Sequence, residues 1–370
     1  MLIQFIWWVF VISSIIQLVY WLVLFSRLAS YSASDQKEDQ MPPISIIICA
    51  RNEAENLKKN LPRILNQNYR SFEVIVVNDQ SEDETENILL NFNIKYPILR
   101  VCKVMHKPLD QPGKKYALAR GIEVAKNDIL LLTDADCFPH SEDWLREMQQ
   151  IIREPVAIGL GYSPYLKHPG WLNRFIRFET VYTATQYFSF ALAGYPYMGV
   201  GRNLIYKKSL FRQSDGFRRH RHIASGDDDL FVSAVATREN TGIVIKQSAF
   251  TYSEPASDWS AYYRQKARHY TTGKYYHPLH QMLLSLLALS HFLHYFGGIV
   301  LILKISTMFV GLLYIARLSV IIIVYRSVLK KFHEEDLLPW IPVLDVSLVI
   351  YYMLFAHTLF TGNTHKWKQK

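Results

Sequence analysis

The stretch "DILLLTDAD" at residues 128–136 joins a continuous apolar run to two aspartates that stand one residue apart. Such a run is typical of a β-strand that is buried on both faces, as in a parallel sheet. Alternate side chains of a strand point the same way, so Asp134 and Asp136 converge on one point if the strand continues through them. Because hard divalent cations take carboxylate oxygens as ligands, the stretch predicts a buried strand that ends at a candidate metal site.

Further apolar runs precede this one, and helical patterns separate them. They are residues 44–49, 72–79 and 99–104. Strands that alternate with helices predict an α/β fold, with a mostly parallel sheet and helices on both faces. Ligands of such sheets bind beyond the carboxyl ends of the strands. This rule gathers residues 50–53, Asn78, Asp79 and the two later aspartates at one polar rim.

Apolar segments also lie toward both ends of the 370-residue chain, half of which is hydrophobic. Residues 2–25 carry no formal charge and are long enough to cross a hydrocarbon core of about 30 Å. This segment has no basic n-region and no small-residue cleavage site, which favours a retained membrane helix over a signal peptide. Three more segments follow, near residues 280–296, 299–325 and 341–360, and we expect the first two to form a hairpin that turns at Gly297 and Gly298.

These features divide the chain into a soluble domain between two membrane regions. The expected parts are an N-terminal transmembrane helix (1–26), a linker (27–43), a catalytic domain (44–278), a C-terminal membrane region of two or three helices (279–362) and a basic tail (363–370). The cysteines Cys49, Cys102 and Cys137 fall in or beside predicted strands. Their spacing favours buried thiols in a reducing compartment over a disulfide framework or a zinc site.

The net charge of +9 is concentrated in part beside apolar segments, as at residues 325–333. This placement fits an anionic cytoplasmic membrane surface, and no nucleic-acid motif is present, so we expect a membrane partner and no nucleic acid. Because basic residues beside membrane spans usually face the cytoplasm, we expect the soluble domain to be cytoplasmic. We expect the membrane to be the cytoplasmic membrane of a bacterium. Three C-terminal crossings put the basic tail outside, whereas two crossings and one interfacial segment keep it inside. The first segment is short and contains His291 and His294, which is typical of a segment that is re-entrant or lies partly in the interface, and the sequence leaves both topologies open.

Six stretches, in this order, resemble glycosyltransferase family 2, whose domain has the GT-A fold. They are "ISIIICARNEAENLKKNLPRILNQNY", "FEVIVVNDQSEDET", "PGKKYALARG", "LLTDADCFP", "SGDDDLF" and "RQKARHY". The resemblance covers roughly residues 43–276. It implies a membrane-bound inverting enzyme that moves a sugar from a nucleotide-sugar donor to a lipid or lipid-linked acceptor.

The resemblance also implies a donor pocket. Asp79 would accept hydrogen bonds from the nucleotide base, and Lys114 would approach the diphosphate, although a solvated lysine at a helix start explains Lys114 equally well. Asp134 and Asp136 would hold the ribose and an Mg²⁺ or Mn²⁺ ion, which as a Lewis acid would offset the charge of the departing diphosphate. The residues expected to line the same pocket are Ala50, Arg51, Asn52 and Glu53.

The acidic run Asp227–Asp229 resembles the Glu-Asp catalytic motif of the family, in which the second residue is the general base. We therefore expect Asp228 to be the base, with Asp227 as the partner whose charge raises its pKa. Another alignment moves the base to Asp227 or Asp229. A solvated helix start explains the run without any catalysis, because negative charge suits a helix N-terminus.

The stretch "QKARH" departs from the Q-x-x-R-W motif of the family, since His269 stands where tryptophan is expected. The resemblance implies that Gln265 and Arg268 bind the acceptor or the diphosphate. The missing indole argues against a processive polysaccharide synthase, which is the alternative enzyme. A non-catalytic membrane scaffold that keeps the GT-A fold is a further alternative, and a scaffold has no need for converging carboxylates.

Overall fold

The structure is a computed structural model, and it describes residues 1–32, 41–108, 111, 113–304 and 307–356. The predicted linker (27–43) lies partly outside the described residues, and the predicted tail (363–370) lies wholly outside them. What is described combines a sheet-based domain with long apolar helices.

The strands within the described residues belong to two sheets. They are β1 (Ile44–Ala50), β2 (Phe72–Asn78), β3 (Leu99–Lys103), β4 (Ile129–Asp134), β5 (Cys137–Pro139), β6 (Ile158–Gly161), β7 (Leu204–Lys207), β8 (Thr241–Val244) and β9 (Thr251–Ser253). The main sheet has seven strands in the order β3-β2-β1-β4-β7-β6-β8, and β5 pairs with β9 in a small second sheet. The strands β1 to β4 are parallel to one another, whereas β7 is antiparallel to both β4 and β6.

Helices flank the sheet and continue into the apolar segments. They are α1 (Leu2–Val19), which a π-helix (Tyr20–Phe25) joins to α2 (Ser26–Ser30), α3 (Ala54–Leu65), α4 (Thr85–Lys95), α5 (Lys115–Val124), α6 (Trp144–Gln149), α7 (Trp171–Leu192), α8 (Lys208–Gln213), α9 (Asp229–Val235), α10 (Trp259–Tyr270), α11 (Pro278–Ile302), α12 (Thr307–Phe332) and α13 (Ile341–Ala356). The mixed α/β architecture confirms the predicted fold class.

The strand β1 shows why its sequence is continuously apolar. Every residue of β1 is buried, and alternate side chains enter two separate cores. Ile46 and Ile48 join the core that contains Leu57 of α3, whereas Ile47 joins the core that contains Leu118 of α5. Burying an aliphatic side chain of this size contributes about 1.5–3 kcal/mol, so both faces of the strand stabilise the sheet.

Four helices among the described residues are long and apolar enough to span a bilayer. They are Leu2–Ser30, Pro278–Ile302, Met308–Phe332 and Glu335–Phe355. The predicted hairpin turn at Gly297 and Gly298 is wrong, because both glycines lie inside α11. A Cβ atom on Gly298 would come within 2.2 Å of the Tyr314 hydroxyl oxygen, so the glycine permits close packing of α11 against α12. With 25 residues, α11 is also not the short segment that the sequence suggested.

The last turn of α12 packs into the soluble domain. Phe332 stacks on Tyr162 with ring centroids 4.1 Å apart, and it also contacts Phe188 of α7. The aromatic helix α7 is therefore held between the domain core and the end of a candidate membrane span.

Candidate active site

The loops that follow β1 and β2 are joined by a network of backbone hydrogen bonds. The Asp79 amide donates to the Ala50 carbonyl at 2.8 Å, and the Asn52 amide donates to Ser81 Oγ at 3.0 Å. Asn52 has a left-handed φ of 55°, and its Oδ1 accepts a hydrogen bond from the Glu82 amide at 2.8 Å. The predicted donor-pocket residues Ala50, Asn52 and Asp79 are thus brought together.

Arg51 and Glu53 are the other two predicted pocket residues in the loop after β1. The Glu53 amide donates to Thr85 Oγ1 at 2.9 Å, and the Glu53 carboxylate accepts from Asn56 at 2.6 Å. Arg51 precedes them and is half-buried. The loop is therefore shaped by its partners in the segment before α4, and not by the β1 strand alone.

Asp79 lies at the bottom of this rim and is fully buried. One of its carboxylate oxygens is ion-paired with Lys107, whose Nζ also donates to the Gly113 carbonyl at 2.8 Å. The other oxygen, Oδ1, has no hydrogen-bond partner among the described residues. A buried acceptor without a partner is costly, so this oxygen is suited to an N–H group of a ligand.

Asp134 and Asp136 lie at the end of β4, but the strand does not continue through them. It ends at Asp134, and Ala135 and Asp136 form a turn before β5. The convergence predicted from strand alternation is nevertheless present, because ligand atoms of Asp134, Asp136 and Cys137 lie within 4.8 Å of one another. The turn, and not the strand, brings the two carboxylates together.

The carboxylates fit a hard divalent cation. Desolvation and the charge of Asp134 raise the pKa of Asp136, and a cation bound between the two acids would offset this repulsion. Burial raises the pKa of the Cys137 thiol well above its usual range, so the sulfur stays protonated and is a poor ligand. Two carboxylates that leave room for diphosphate oxygens match the usual Mg²⁺ environment in proteins.

Lys114 connects the two acidic groups of the site. Its ammonium group is ion-paired with Asp134 and lies 3.3 Å from the Asp227 carboxylate. Burial opposes ionisation of Asp227, but the Lys114 charge outweighs it and lowers the pKa of Asp227. Lys114 therefore lies between Asp134 and Asp227 and is not a solvated lysine, and its predicted contact with the diphosphate stays a prediction.

Arg202 is a further cation at this rim, and the sequence analysis missed it. In the antiparallel register, Leu132 of β4 faces Leu204 of β7, so the chain just before β7 lies beside the carboxyl end of β4. The Arg202 charge acts on Asp136, its Nη1 donates to Ser253 Oγ at 2.9 Å, and its guanidinium lies over the Tyr165 ring at 4.5 Å. An arginine held in this way is suited to bind an anion.

Asp228 is the residue that we expect to be the general base. Its Oδ1 accepts from the Asp229 amide at 2.8 Å, and its Oδ2 accepts from the Gly201 amide at 2.6 Å. Burial, Asp227 and Asp229 raise the pKa of Asp228 to about 7, and the Gly201 amide acts in the opposite direction. Each carboxylate oxygen keeps a second lone pair, so the group can cap α9 and still accept a proton.

Asp229 has a structural role. It is buried, and its Oδ2 accepts from the hydroxyl groups of Thr272 and Tyr276, the latter at 2.7 Å. Both partners follow α10 in the sequence. Asp229 therefore joins the acidic run to the segment that leads into α11 at Pro278.

The helix α10 carries the other predicted acceptor-side residues. Gln265 donates to the Tyr165 hydroxyl at 3.3 Å, and the same tyrosine lies under Arg202. Arg268 contacts the neighbouring His269 at 3.4 Å. Tyr165 thus contacts both Gln265 and Arg202, the cation whose charge acts on Asp136.

Lys107 and Lys115 also escaped the sequence analysis. Lys107 follows β3 at the same rim, so the strand-end rule could have identified it. Lys115 is buried and donates to the carbonyl groups of His220 at 2.8 Å and Ile223 at 3.2 Å, which fixes the loop before the acidic run. Its signal was present in the paired lysines at the start of α5.

The comparisons with known proteins agree with this geometry. Residues 45–214 match the family model described as glycosyl transferase family 2. Two relatives are glycosyltransferase AglE of Haloferax volcanii, 36% identical over 107 residues (28% of this chain, 34% of the relative), and dolichol-phosphate mannosyltransferase of Pyrococcus furiosus, 30% identical over 125 residues (34% of each). The chain therefore matches about a third of the length of each relative.

One solved structure has the same fold over nearly the whole chain. The mannosyltransferase PcManGT of Pyrobaculum calidifontis, in complex with GDP-Man and Mn²⁺, superposes with a TM-score of 0.60 at 15% identity, and covers 95% of this chain and 99% of its own. This superposition and the sheet topology show a domain with the GT-A fold. The match over residues 45–214 supports a family 2 glycosyltransferase, as the sequence motifs predicted.

Proposed function

We propose that the protein transfers a sugar, with inversion, from a nucleotide-sugar donor to a lipid or lipid-linked glycan acceptor at the cytoplasmic face of a bacterial membrane. The observation that carries the proposal is the position of the acidic run. Asp229 is bonded to Thr272 and Tyr276, and a candidate membrane span begins at Pro278. An acceptor anchored in the bilayer is therefore delivered next to the proposed base.

The donor would bind at the rim formed by the loops after β1 and β2. The Asp79 carboxylate would receive an N–H group of the base, and Lys114 would bind the diphosphate. Asp134 and Asp136 would hold Mg²⁺ or Mn²⁺, which when bound supplies positive charge against the diphosphate. The pairing of Lys114 with Asp134 supports this arrangement, since both groups face the same volume.

In the transfer step, an acceptor hydroxyl oxygen bonds to the anomeric carbon while the bond from that carbon to the diphosphate oxygen breaks. The hydroxyl proton passes to Asp228, and the nucleoside diphosphate leaves. A base with a pKa near neutrality suits this task, because it is ionised at working pH and still accepts the proton. Attack from the side opposite the leaving group inverts the anomeric centre.

The orientation in the membrane follows from the basic residues. Arg27, Lys330 and Lys331 lie at the ends of candidate spans nearest the catalytic domain, whereas Lys304 follows α11 at the opposite end. The excess of positive charge on the domain side favours a cytoplasmic domain.

A donor screen tests the proposal. Purified protein in detergent is incubated with UDP- and GDP-sugars in Mn²⁺, with and without a polyprenyl phosphate or an extract of membrane lipids. We expect one donor to be consumed, faster with a lipid acceptor, and an inverted anomeric configuration in the product. An Asp228→Asn variant should lose transfer, and the exposed control Glu123→Gln should keep it. Faster transfer to a soluble oligosaccharide than to any lipid would overturn the choice of acceptor.

A further inference from the structure

The helix α13 meets the soluble domain at both of its ends. Directly before it, Trp340 packs against Trp171 at the start of α7, with ring centroids 6.0 Å apart. Toward its other end, Tyr351 packs against Phe175 at 5.7 Å, and its hydroxyl group donates to Glu179 Oε1 at 3.3 Å. The residues from Trp340 to Tyr351 cover about 16 Å of helix, so α13 runs alongside the first half of α7.

The last turn of α13 also contacts α10. Phe355 stacks on Tyr263 at 5.0 Å and on Tyr270 at 5.3 Å. A helix that crosses the bilayer carries its far end about 30 Å away from the side on which it begins. Because the far end of α13 returns to a helix of the catalytic domain, its path does not fit a crossing.

A buried polar cluster holds the inner face of α13. Asp345 is ion-paired with Arg317 of α12, and both side chains are 2% exposed. Asp345 also accepts from the Tyr295 hydroxyl at 2.7 Å, and the His291 ring lies 3.3 Å from it. Charges in such a place are expensive unless they are paired, and pairing fixes which faces of the helices meet.

The outer face of α13 is apolar and exposed. Val343 is 53% exposed, Ile350 is 53% exposed and Leu354 is 56% exposed, whereas Leu344 and Leu348 on the inner face are buried. The candidate spans α11 and α12 carry exposed apolar side chains as well, among them Leu289 and Ile315. Acyl chains of the adjoining leaflet are therefore the occupant that matches the outer face of α13.

We propose that α13 lies in the plane of the leaflet next to the catalytic domain and does not cross the membrane. Its outer face contacts acyl chains, and its inner face packs against α7 and α10 and so holds the catalytic domain at that leaflet. Both ends of α13 then lie on the same side of the membrane as the catalytic domain. The interfacial segment is thus the third C-terminal apolar segment and not the first, and the inference holds whatever the sugar transferred.

Depth measurements along α13 test its orientation. Nitroxide labels are placed singly at Val343, Ile350 and Leu354 in a Cys102→Ser background, and their depth is measured by oxygen and nickel collision in reconstituted vesicles. We expect depths that agree within about 5 Å, whereas a crossing helix would spread residues 343–354 over about 16 Å. Labels at Met308, Ile315 and Ile323 of α12 are the control and should spread over about 22 Å. A gradient along α13 as steep as that of α12 would overturn the proposal.

A labelling experiment tests the consequence for topology. Single cysteines at Asn93 on exposed α4, at Lys304, and at Gln369, which follows α13 in the sequence, are treated with a membrane-impermeant maleimide in sealed vesicles of both orientations. We expect the cysteine at 369 to be labelled in the same vesicles as the one at 93, and the one at 304 in the opposite vesicles. Because only relative sides are compared, the result does not depend on the proposed cytoplasmic orientation. Labelling of position 369 together with position 304 shows that α13 crosses.

Discussion

The two acidic groups of the site are built in opposite ways. Asp134 and Asp136 are separated by one residue at a turn, and their oxygens converge on one open volume. In the run from Asp227 to Asp229, consecutive side chains diverge, so each has a different environment. Acids separated by one residue can therefore bind one ligand together, whereas adjacent acids have different partners and different roles.

The environments within the run are distinct. Asp227 faces the Lys114 ammonium group, Asp228 accepts two backbone amides, and Asp229 is bonded to Thr272 and Tyr276. The same residue type therefore serves as an ion-pair partner, a candidate base and an anchor. Substituting each member in turn tests whether the three aspartates have separate roles.

The largest expected effect is that of Asp228→Asn on transfer. A positioned general base contributes about 10²–10⁴-fold in rate, and we expect a loss of this size with donor affinity nearly unchanged. Asparagine caps helices about as well as aspartate does, so the start of α9 is preserved. Single-turnover transfer and donor binding are measured on the same protein sample.

Asp227→Asn and Asp229→Asn are the matched controls for that prediction. If Asp228→Asn transfers normally and one of these two is inactive with donor binding intact, the base is that neighbour. If all three variants transfer at the wild-type rate, the run is only a helix start. The second outcome would leave the proposed chemistry without a base.

The next effect concerns the spaced pair. Asp136→Asn removes a charged metal ligand at nearly constant side-chain size. Losing a residue that only supports a metal ligand typically lowers metal affinity about 10-fold or more. We therefore expect Mn²⁺-dependent nucleotide binding to weaken by at least about 10-fold. Isothermal calorimetry with and without Mn²⁺ measures the change. Unchanged affinity in Mn²⁺ would exclude Asp136 as a ligand.

Asp229→Asn should lower stability more than it lowers chemistry. An amide has one acceptor oxygen where the carboxylate has two, so either the Leu230 amide or the hydroxyl groups of Thr272 and Tyr276 lose their acceptor, which costs about 1–3 kcal/mol for a buried group. The midpoint of thermal unfolding in detergent should fall by several degrees. Tyr276→Phe removes only the hydrogen bond from the tyrosine hydroxyl to Asp229, so it should lower the unfolding midpoint by less. A wild-type midpoint for both variants would show that this contact does not anchor the acidic run.

The smallest expected effect is a shift in pH dependence. With a pKa of about 7, Asp228 loses its charge below neutrality, so transfer should rise with pH through about 7 and then level off. Asp227→Asn removes a negative neighbour and leaves more of the Lys114 charge uncompensated. Both changes favour ionised Asp228, so the midpoint of the profile should move to lower pH, and a move to higher pH would contradict this electrostatic coupling.

The strands and the rim were predictable because they follow from local pattern. The apolar runs that became β1 to β4 differ from the predicted ones by one or two residues at their ends, and Asp79 and Asp134 lie where the strand-end rule put them. The contacts of the rim with distant parts of the chain were not predictable in the same way. Lys115 and His220 meet only after the chain has folded.

The errors have specific physical causes. The sequence predicted parallel strands, whose first residues lie at the edge of the sheet away from the site. Because β7 is antiparallel to β4, the residues just before β7, including Arg202, lie at the site edge instead. The hairpin turn at Gly297 and Gly298 was misplaced because glycine serves close helix packing as well as turns. The roles within the acidic run depend on side-chain direction, which residue type alone does not encode.

The most direct test of the central claim is a thermal-stability screen of the wild-type protein with nucleotide sugars. Ligand at about 100 times its Kd stabilises a folded protein by about 2.7 kcal/mol, so a bound donor raises the unfolding midpoint measurably. We predict that one UDP- or GDP-sugar shifts the midpoint upward in Mn²⁺ or Mg²⁺ and that chelation of the metal abolishes the shift. No shift with any donor, in either metal, would contradict a donor site at this rim and favour a membrane scaffold that keeps the fold without the chemistry.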